Sequence, residues 1–200
     1  MRPHEQAAAV RVVAHALSTS PMALAVTRCE PAVCRRHLNR FFGRLYAVAR
    51  HQRPLVARLD GRVIGSTNDL VGSACRFGAL EKLRALPDLF RTPPAITLRS
   101  SRWLDDWEHR DPDEPHSHLG PIGVEPELQG RGIGSLILSE YTRRLDAGGE
   151  DSYLETDKPE NVALYSRFGF EIVDESEMYG VHNWFMWREA GVDAPATRTR

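Results

Sequence analysis

Leu119-Gly120-Pro121-Ile122-Gly123-Val124-Glu125-Pro126-Glu127-Leu128-Gln129-Gly130-Arg131-Gly132-Ile133-Gly134-Ser135 is the stretch on which the fold turns. Residues 117–124 read as a strand, and a glycine-rich turn occupies 129–134. A helix is expected over 135–147, with Leu136, Ile137, Leu138, Tyr141 and Leu145 on its apolar side, and Gly148-Gly149 stops it. The first backbone N–H groups of a helix are unpaired and point outward along the positive end of its dipole. Glycines before them admit positive φ and let an anion approach the backbone closely. The pattern predicts a pyrophosphate cradle formed by Gln129, Gly130, Arg131, Gly132, Ile133, Gly134 and Ser135. Hydrogen bonds to a charged acceptor contribute roughly 1.5–3 kcal/mol each, against roughly 0.3–1 for the dipole, so the oriented amides dominate. Arg131 supplies an extra charge and Ser135 an extra donor.

Other phosphate loops do not fit. The dinucleotide pattern G-x-G-x-x-G fails because Gly130, Gly132 and Gly134 are followed next by Gly148, and no Gly-Lys pair exists for G-x-x-x-x-G-K-[ST]. Both loops also need the strand to enter the turn directly, whereas Glu125-Pro126-Glu127-Leu128 intervenes. Ser135 lacks the G-x-S-x-G setting of a hydrolase nucleophile.

Downstream, a strand at 152–156, a short helix at 161–168 and strands near 170–175 and 182–188 complete a strand–helix alternation. Upstream, residues 5–17 read as an amphipathic helix, and Ser20-Pro21 breaks the pattern. A second helix runs from about Ala32 to Ala49, its apolar face marked by Leu38, Phe41, Phe42, Leu45 and Val48. Asp60-Gly61 between residues 55–59 and 62–66 predicts a hairpin with a type I′ turn. Residues 78–110 read as helical pieces broken near Pro87 and Pro93-Pro94, with Trp103 and Trp107 on one face. Residues 111–116 form a polar connector. The order implies a single-domain α/β fold, a mixed central sheet flanked by helices, over residues 1–190, with a disordered tail at 191–200.

Two blocks carry a resemblance. Gln129-Gly130-Arg131-Gly132-Ile133-Gly134 resembles the Q/R-x-x-G-x-G/A acyl-CoA motif of the GNAT N-acetyltransferase superfamily. Thirty-two residues after Gln129, Asn161-Val162-Ala163-Leu164-Tyr165-Ser166-Arg167-Phe168-Gly169-Phe170 is similar to the superfamily's N-x-x-A-x-x-x-Y-x-x-x-G-F block, with Tyr165 closer to the alanine. Several runs, among them Leu154-Glu155-Thr156 and Arg167-Phe168-Gly169-Phe170, resemble the puromycin-acetylating branch. The resemblance implies splayed central strands, acetyl-CoA as acyl donor with no metal, and a primary-amine acceptor, most simply a small molecule. It implies that the backbone at Ile122, Gly123 and Val124 holds the pantetheine, that Asn161 lies at the cofactor site, and that Tyr165 protonates the leaving sulfur. The superfamily usually begins with a strand, which this chain lacks or shortens.

Amide formation also needs a neutral amine. An alkyl amine near pKa 10.4 is only about one part in a thousand neutral at pH 7, whereas an α-amine near 8 is about a tenth neutral. His118, eleven residues before Gln129, lies where some protein-acetylating members carry a glutamate. Glu155 on the next strand, and His116 two residues before His118, are the other candidate bases, and solvent is a fourth. Each histidine can equally be a connector side chain, and Tyr165 a packing residue. The reading is therefore an acetyltransferase, with a peptide acetyltransferase or a non-catalytic acyl-CoA-binding module as alternatives.

Composition limits the rest. With 26 basic and 27 acidic residues and no basic stripe, a nucleic-acid partner is not expected. No run approaches the ~18 apolar residues of a membrane span. Three cysteines, Cys29, Cys34 and Cys75, with no C-x-x-C spacing argue against a disulfide framework or zinc site and for a reducing, cytoplasmic location. A monomer or homodimer is expected.

Overall fold

The structure, a computed structural model, describes residues 1–48, 51–71 and 92–191. After a 3-10 turn at Pro3–Glu5 come helices α1 (Gln6–Leu17), α2 (Pro21–Thr27) and α3 (Pro31–Val48). Strands β1 (Leu55–Leu59), β2 (Arg62–Thr67) and β3 (Asp69–Val71) precede α4 (Pro94–Arg110). Then follow β4 (Ser117–Leu119), β5 (Gly123–Val124), a 3-10 turn at Pro126–Leu128, α5 (Ile133–Gly148), β6 (Ser152–Thr156), α6 (Pro159–Ser166), β7 (Glu171–Met178) and β8 (Val181–Arg188). The helical pieces expected at 78–91, the end of the second helix, Cys75 and the tail beyond 191 lie outside the described residues.

The Asp60-Gly61 hairpin forms as expected, with positive φ at both turn residues (49° and 76°) and Leu59 opposite Arg62. A second hairpin, at Tyr179-Gly180, uses the same geometry with φ of 55° and 76°. It carries β7 to residue 178, three residues past expectation. Ser20-Pro21 breaks the pattern as expected, α1 ending at Leu17, and it also starts a helix that was not expected. The Ser20 hydroxyl accepts from the Ala23 N–H, and Pro21 occupies the first turn of α2, where a missing N–H costs nothing. The α6 helix likewise opens on Pro159, two residues before the expected start.

The strand expected over 117–124 divides between two sheets. One holds β1, β2 and β5 in that order, and the other β3, β4, β6, β8 and β7. The β2–β3 strand makes the same transfer at Asn68. There the Gly120 N–H donates to the Asn68 carbonyl, an approach so close that a Cβ on Gly120 would lie 2.5 Å from that oxygen. Parallel pairing of β4 with β6 is limited to Ser117 with Ser152 and His118 with Tyr153. Beyond Tyr153, β6 remains paired along its whole length with β8 on one edge, while β5 pairs only with β2. The edges of β5 and β6 that face each other therefore part, leaving a wedge between the sheets.

Two apolar clusters hold this frame. Leu119, Val124, Leu138, Tyr141, Leu145, Leu154, Tyr165, Phe170 and Met186 pack between the sheet and α5–α6. Val10, Val13, Cys34, Leu38 and Phe42 pack α1 on α3. Each such fully buried side chain contributes roughly 1.5–3 kcal/mol. Leu136, expected on the apolar face of α5, is instead 66% exposed, because the buried face runs through Ile133, Ile137, Leu138, Tyr141 and Leu145 and Leu136 lies off it. Among the described residues no strand precedes α1, so β1 is the outer strand of the three-stranded sheet. No single helix among them is long and apolar enough to cross a membrane.

Candidate active site

The glycine turn leads into α5 as expected, with the helix beginning at Ile133 and Gly132 as its N-cap at φ 78°. Only the Leu136 N–H, bonded to the Gly132 carbonyl, starts the internal ladder, so the amides of residues 133–135 face outward. Gly132 and Gly130 need glycine for their positive φ. Gly134 does not. Its φ is ordinary, and a Cβ built there meets nothing within 4 Å. The chain's own packing gives no reason for a glycine at 134, whereas an anion seated on the helix end would. Arg131 is exposed beside this space. The Gln129 side-chain amide donates to the Val124 carbonyl, bracing the turn against β5, and the Ser135 side chain is half-buried in the first helical turn. These residues leave outward-facing backbone donors at the start of α5.

Where the wedge opens, Ile122 is half-buried and Gly123 and Val124 are buried. Gly123 has a packing role the sequence did not reveal: a Cβ there would lie 2.8 Å from Val13 Cα and 3.0 Å from Ala16 Cβ, so its hydrogen lets α1 rest on β5. A cavity of about 350 Å³ borders the turn on the α1–α3 side, lined by His15, Ser18, Thr19, Arg35, Pro126 and Gln129. There His15 Nδ1 lies 2.9 Å from Glu125 Oε2.

Side chains alternate across β4 and β6. Ser117, Leu119 and Leu154 face α5, while His118, Tyr153 and Glu155 face α4. The two candidate bases meet: His118 Nε2 lies 2.9 Å from Glu155 Oε2. Behind them is Asp111, the residue after α4, whose Oδ1 is 3.1 Å from His118 Nδ1 and 3.4 Å from His116 Nε2. The Asp111 carboxyl is pulled well below the usual carboxylate range. Burial acts to raise it, and hydrogen bonds from both histidines outweigh that effect. His116 Nδ1 donates to the Glu114 carbonyl at 2.8 Å. The cluster is floored by Tyr153, whose ring centroid is 5.4 Å from that of His118, and roofed by α4. On that helix Trp103 and Trp107 form an edge-to-face pair at 4.8 Å, and Trp107 meets Phe185 at 6.5 Å. Asp111 had no signal in the sequence beyond a polar connector, since only the fold brings it to β4.

Tyr165 approaches from the opposite face. It is 4% exposed, packed edge-to-face on Phe170, and burial pushes its phenol well above the ordinary value, with the charges of Asp157 and Glu155 adding to the rise. Asn161, expected at the cofactor, has its amide engaged with Thr156 Oγ1 at 3.1 Å and so fastens α6 to β6. One residue beyond β6, Asp157 accepts from the Met22 N–H at 2.7 Å and ties the start of α2 to the strand bearing Glu155. Among the described residues two groups have the atom types and closeness a cation needs, Asp111–His116–His118 and His15–Glu125–Glu127. Hydrogen bonds link Asp111 with both histidines in the first group and His15 with Glu125 in the second.

The family described as Acetyltransferase (GNAT) family matches residues 25–170. The chain belongs to the GNAT acetyltransferase family. It is thus an acyltransferase whose donor is acetyl-CoA. The solved structure of the histone acetyltransferase HPA2 and related acetyltransferase from Corynebacterium glutamicum is similar over 98% of this chain and 96% of that one, at 19% identity and a TM-score of 0.71. The ribosomal-protein-S18-alanine N-acetyltransferase from Escherichia coli covers 96% and 94%, at 13% identity and 0.56. The PaiA N-acetyltransferase from Thermoplasma acidophilum, solved with coenzyme A, covers 94% and 95%, at 10% identity and 0.57. At such identities the likeness is one of fold, and the two parting sheets of this GNAT chain are the part that bears on its chemistry.

Proposed function

We propose that the chain transfers the acetyl group of acetyl-CoA to a primary amine of a small molecule, by direct attack within a ternary complex. The observation that carries the reading is the position of the Glu155–His118 pair, where β6 loses its pairing with β4 and the wedge begins. In this reading the pyrophosphate sits on the amides of residues 133–135, and the pantetheine runs along Ile122–Val124. Glu155, linked to His118, takes one proton from the acceptor ammonium. The freed lone pair attacks the thioester carbon, the C–N bond forms and the C–S bond breaks. The second proton of the attacking nitrogen passes through Tyr165 to the departing thiolate, so the products are the amide, the free thiol of CoA and one proton released from Glu155–His118 to water. Tyr165 is suited to donate because burial keeps its phenol protonated at all working pH values.

Two features support a small acceptor. The α4 helix lies across the face bearing Glu155, and hydrogen bonds from Tyr179 to the Arg99 carbonyl and from Ser176 to Asp106 bind it to the β7–β8 hairpin, which narrows the approach. The sequence runs similar to the puromycin-acetylating branch point the same way. Cys34 is no acyl carrier, since it is fully buried in the α1–α3 cluster and that burial pushes its thiol up. A screen of α-amines, alkyl amines and peptide N-termini with acetyl-CoA, reading released thiol, tests the proposal. Sequential kinetics on a small amine are expected. Turnover confined to peptides, or a ping-pong pattern, would overturn it.

A further inference from the structure

The two histidines of the cluster present four ring nitrogens, and each faces an acceptor. His116 Nδ1 meets the Glu114 carbonyl, His116 Nε2 and His118 Nδ1 share Asp111 Oδ1, and His118 Nε2 meets Glu155 Oε2. A carbonyl oxygen never donates, and an ionised carboxylate only accepts. Four contacts need four protons, whereas two neutral imidazoles bring two. All four contacts are made as hydrogen bonds only when two further protons reside on the two rings. The low proton affinity of Asp111 keeps those protons on the rings. On the neighbouring elements Arg110 of α4 lies between Asp106 and Asp174 of β7, and Arg53 across the sheet lies between Asp69 of β3 and Glu150, so each set carries one more negative charge than positive. Tyr153 and Trp187 supply uncharged walls.

We infer that Asp111 and His116 are positioning residues that set the proton content of the catalytic pair, so that Glu155, His118, Asp111 and His116 take up and release a proton as one linked unit. The inference rests on the reading of Glu155–His118 as the base. The active form is the unit short of one proton, with the vacancy at the Glu155–His118 contact nearest the wedge. The rising acid limb of kcat/KM then belongs to the whole set rather than to one residue. The two positioning residues act with opposite sign. Asp111 holds a negative charge against the rings, so Asp111→Asn lets the unit lose its proton more readily and moves the limb to lower pH. His116 holds a positive ring beside His118, so His116→Leu lets the unit keep its proton longer and moves the limb to higher pH. Shifts of about one pH unit are expected for charges at this range. His118→Gln should abolish both shifts when combined with either variant.

The test is the pH profile of kcat/KM for these variants, together with ¹⁵N NMR of the histidine rings in the unmodified chain. Opposite shifts, and ring signals for His116 and His118 with both nitrogens protonated at pH 7, are the expected result. Limbs that stay fixed or move together would overturn the inference, as would neutral rings at pH 7. So would stoichiometric metal in the purified chain with metal-shifted ring nitrogens. If no amine is acetylated by the unmodified chain, the proposed function fails, while the ring-proton count still decides the inference. It also decides if Asp111→Asn does not fold.

Discussion

The glycine turn at 129–134 and the cluster around His118 are built on opposite plans. The turn offers backbone amides and empty space, and its residues are contiguous in sequence. The cluster offers side chains and charge, in a buried setting drawn from the end of α4, from β4 and from β6. A backbone site tolerates most side chains at its edges but no bulk at its centre. A side-chain network fails when any one member loses a proton or a partner, because an unmatched buried charge has no water to turn to. In the proposed reaction the donor half thus rests on shape and the acceptor half on proton count.

The largest effect should come from the cluster. Glu155→Gln is expected to lower kcat/KM at pH 7 by ~10²–10⁴-fold while acetyl-CoA affinity holds, and adding His118→Ala should cost little more, since the two act as one unit. Fully additive losses would show that they are separate devices. On the turn, Gly134→Val should weaken CoA binding ~10–100-fold by calorimetry, the loss expected when one or two charged hydrogen bonds are blocked, and should leave the melting temperature nearly unchanged because the Cβ meets nothing in the protein. Unchanged affinity in this variant would sink the pyrophosphate seat. Gly132→Val should show the same loss plus a folding defect, since its φ of 78° suits no branched side chain.

Tyr165→Phe joins the two plans, a side chain acting on the donor. A drop in kcat of up to ~10²-fold with acetyl-CoA affinity intact is expected. Unchanged kcat across the pH range would leave Tyr165 as packing for Phe170 alone. The smallest effect belongs to the scaffold. Gly123→Ala should destabilise the fold by about 1–3 kcal/mol in urea denaturation, because the methyl group meets the α1 backbone. A neutral result would mean that α1 gives way easily.

The same contrast explains what could be read beforehand. The turn, the α5 helix, the Asp60-Gly61 hairpin and the strand carrying Glu155 are local patterns, and each formed within a few residues of expectation. The helix α2 was hidden because Ser-Pro serves both as a break and as a cap, and only Ala23, bonded to Ser20, tells which. The division of 117–124 depends on Asn68, fifty-two residues before Gly120, reaching across to it. His118 and Glu155 were named as rivals because each lies on a legible strand. Their union through Asp111 depends on where α4 ends, which no spacing records. Asn161 carries the family pattern, yet its amide donates to Thr156, so here the motif marks a fastening of α6 to β6.

The bond from the Met22 amide to Asp157 has a use beyond fastening. Met22 is 2% exposed, and its N–H lies in the first turn of α2, where the helix itself supplies no acceptor. Its exchange with deuterium therefore requires α2 to lift from the end of β6. The protection of this one amide reports how often α2 leaves the end of the strand that bears Glu155. Asp157→Ala should speed that exchange without altering the bond between Glu155 and His118.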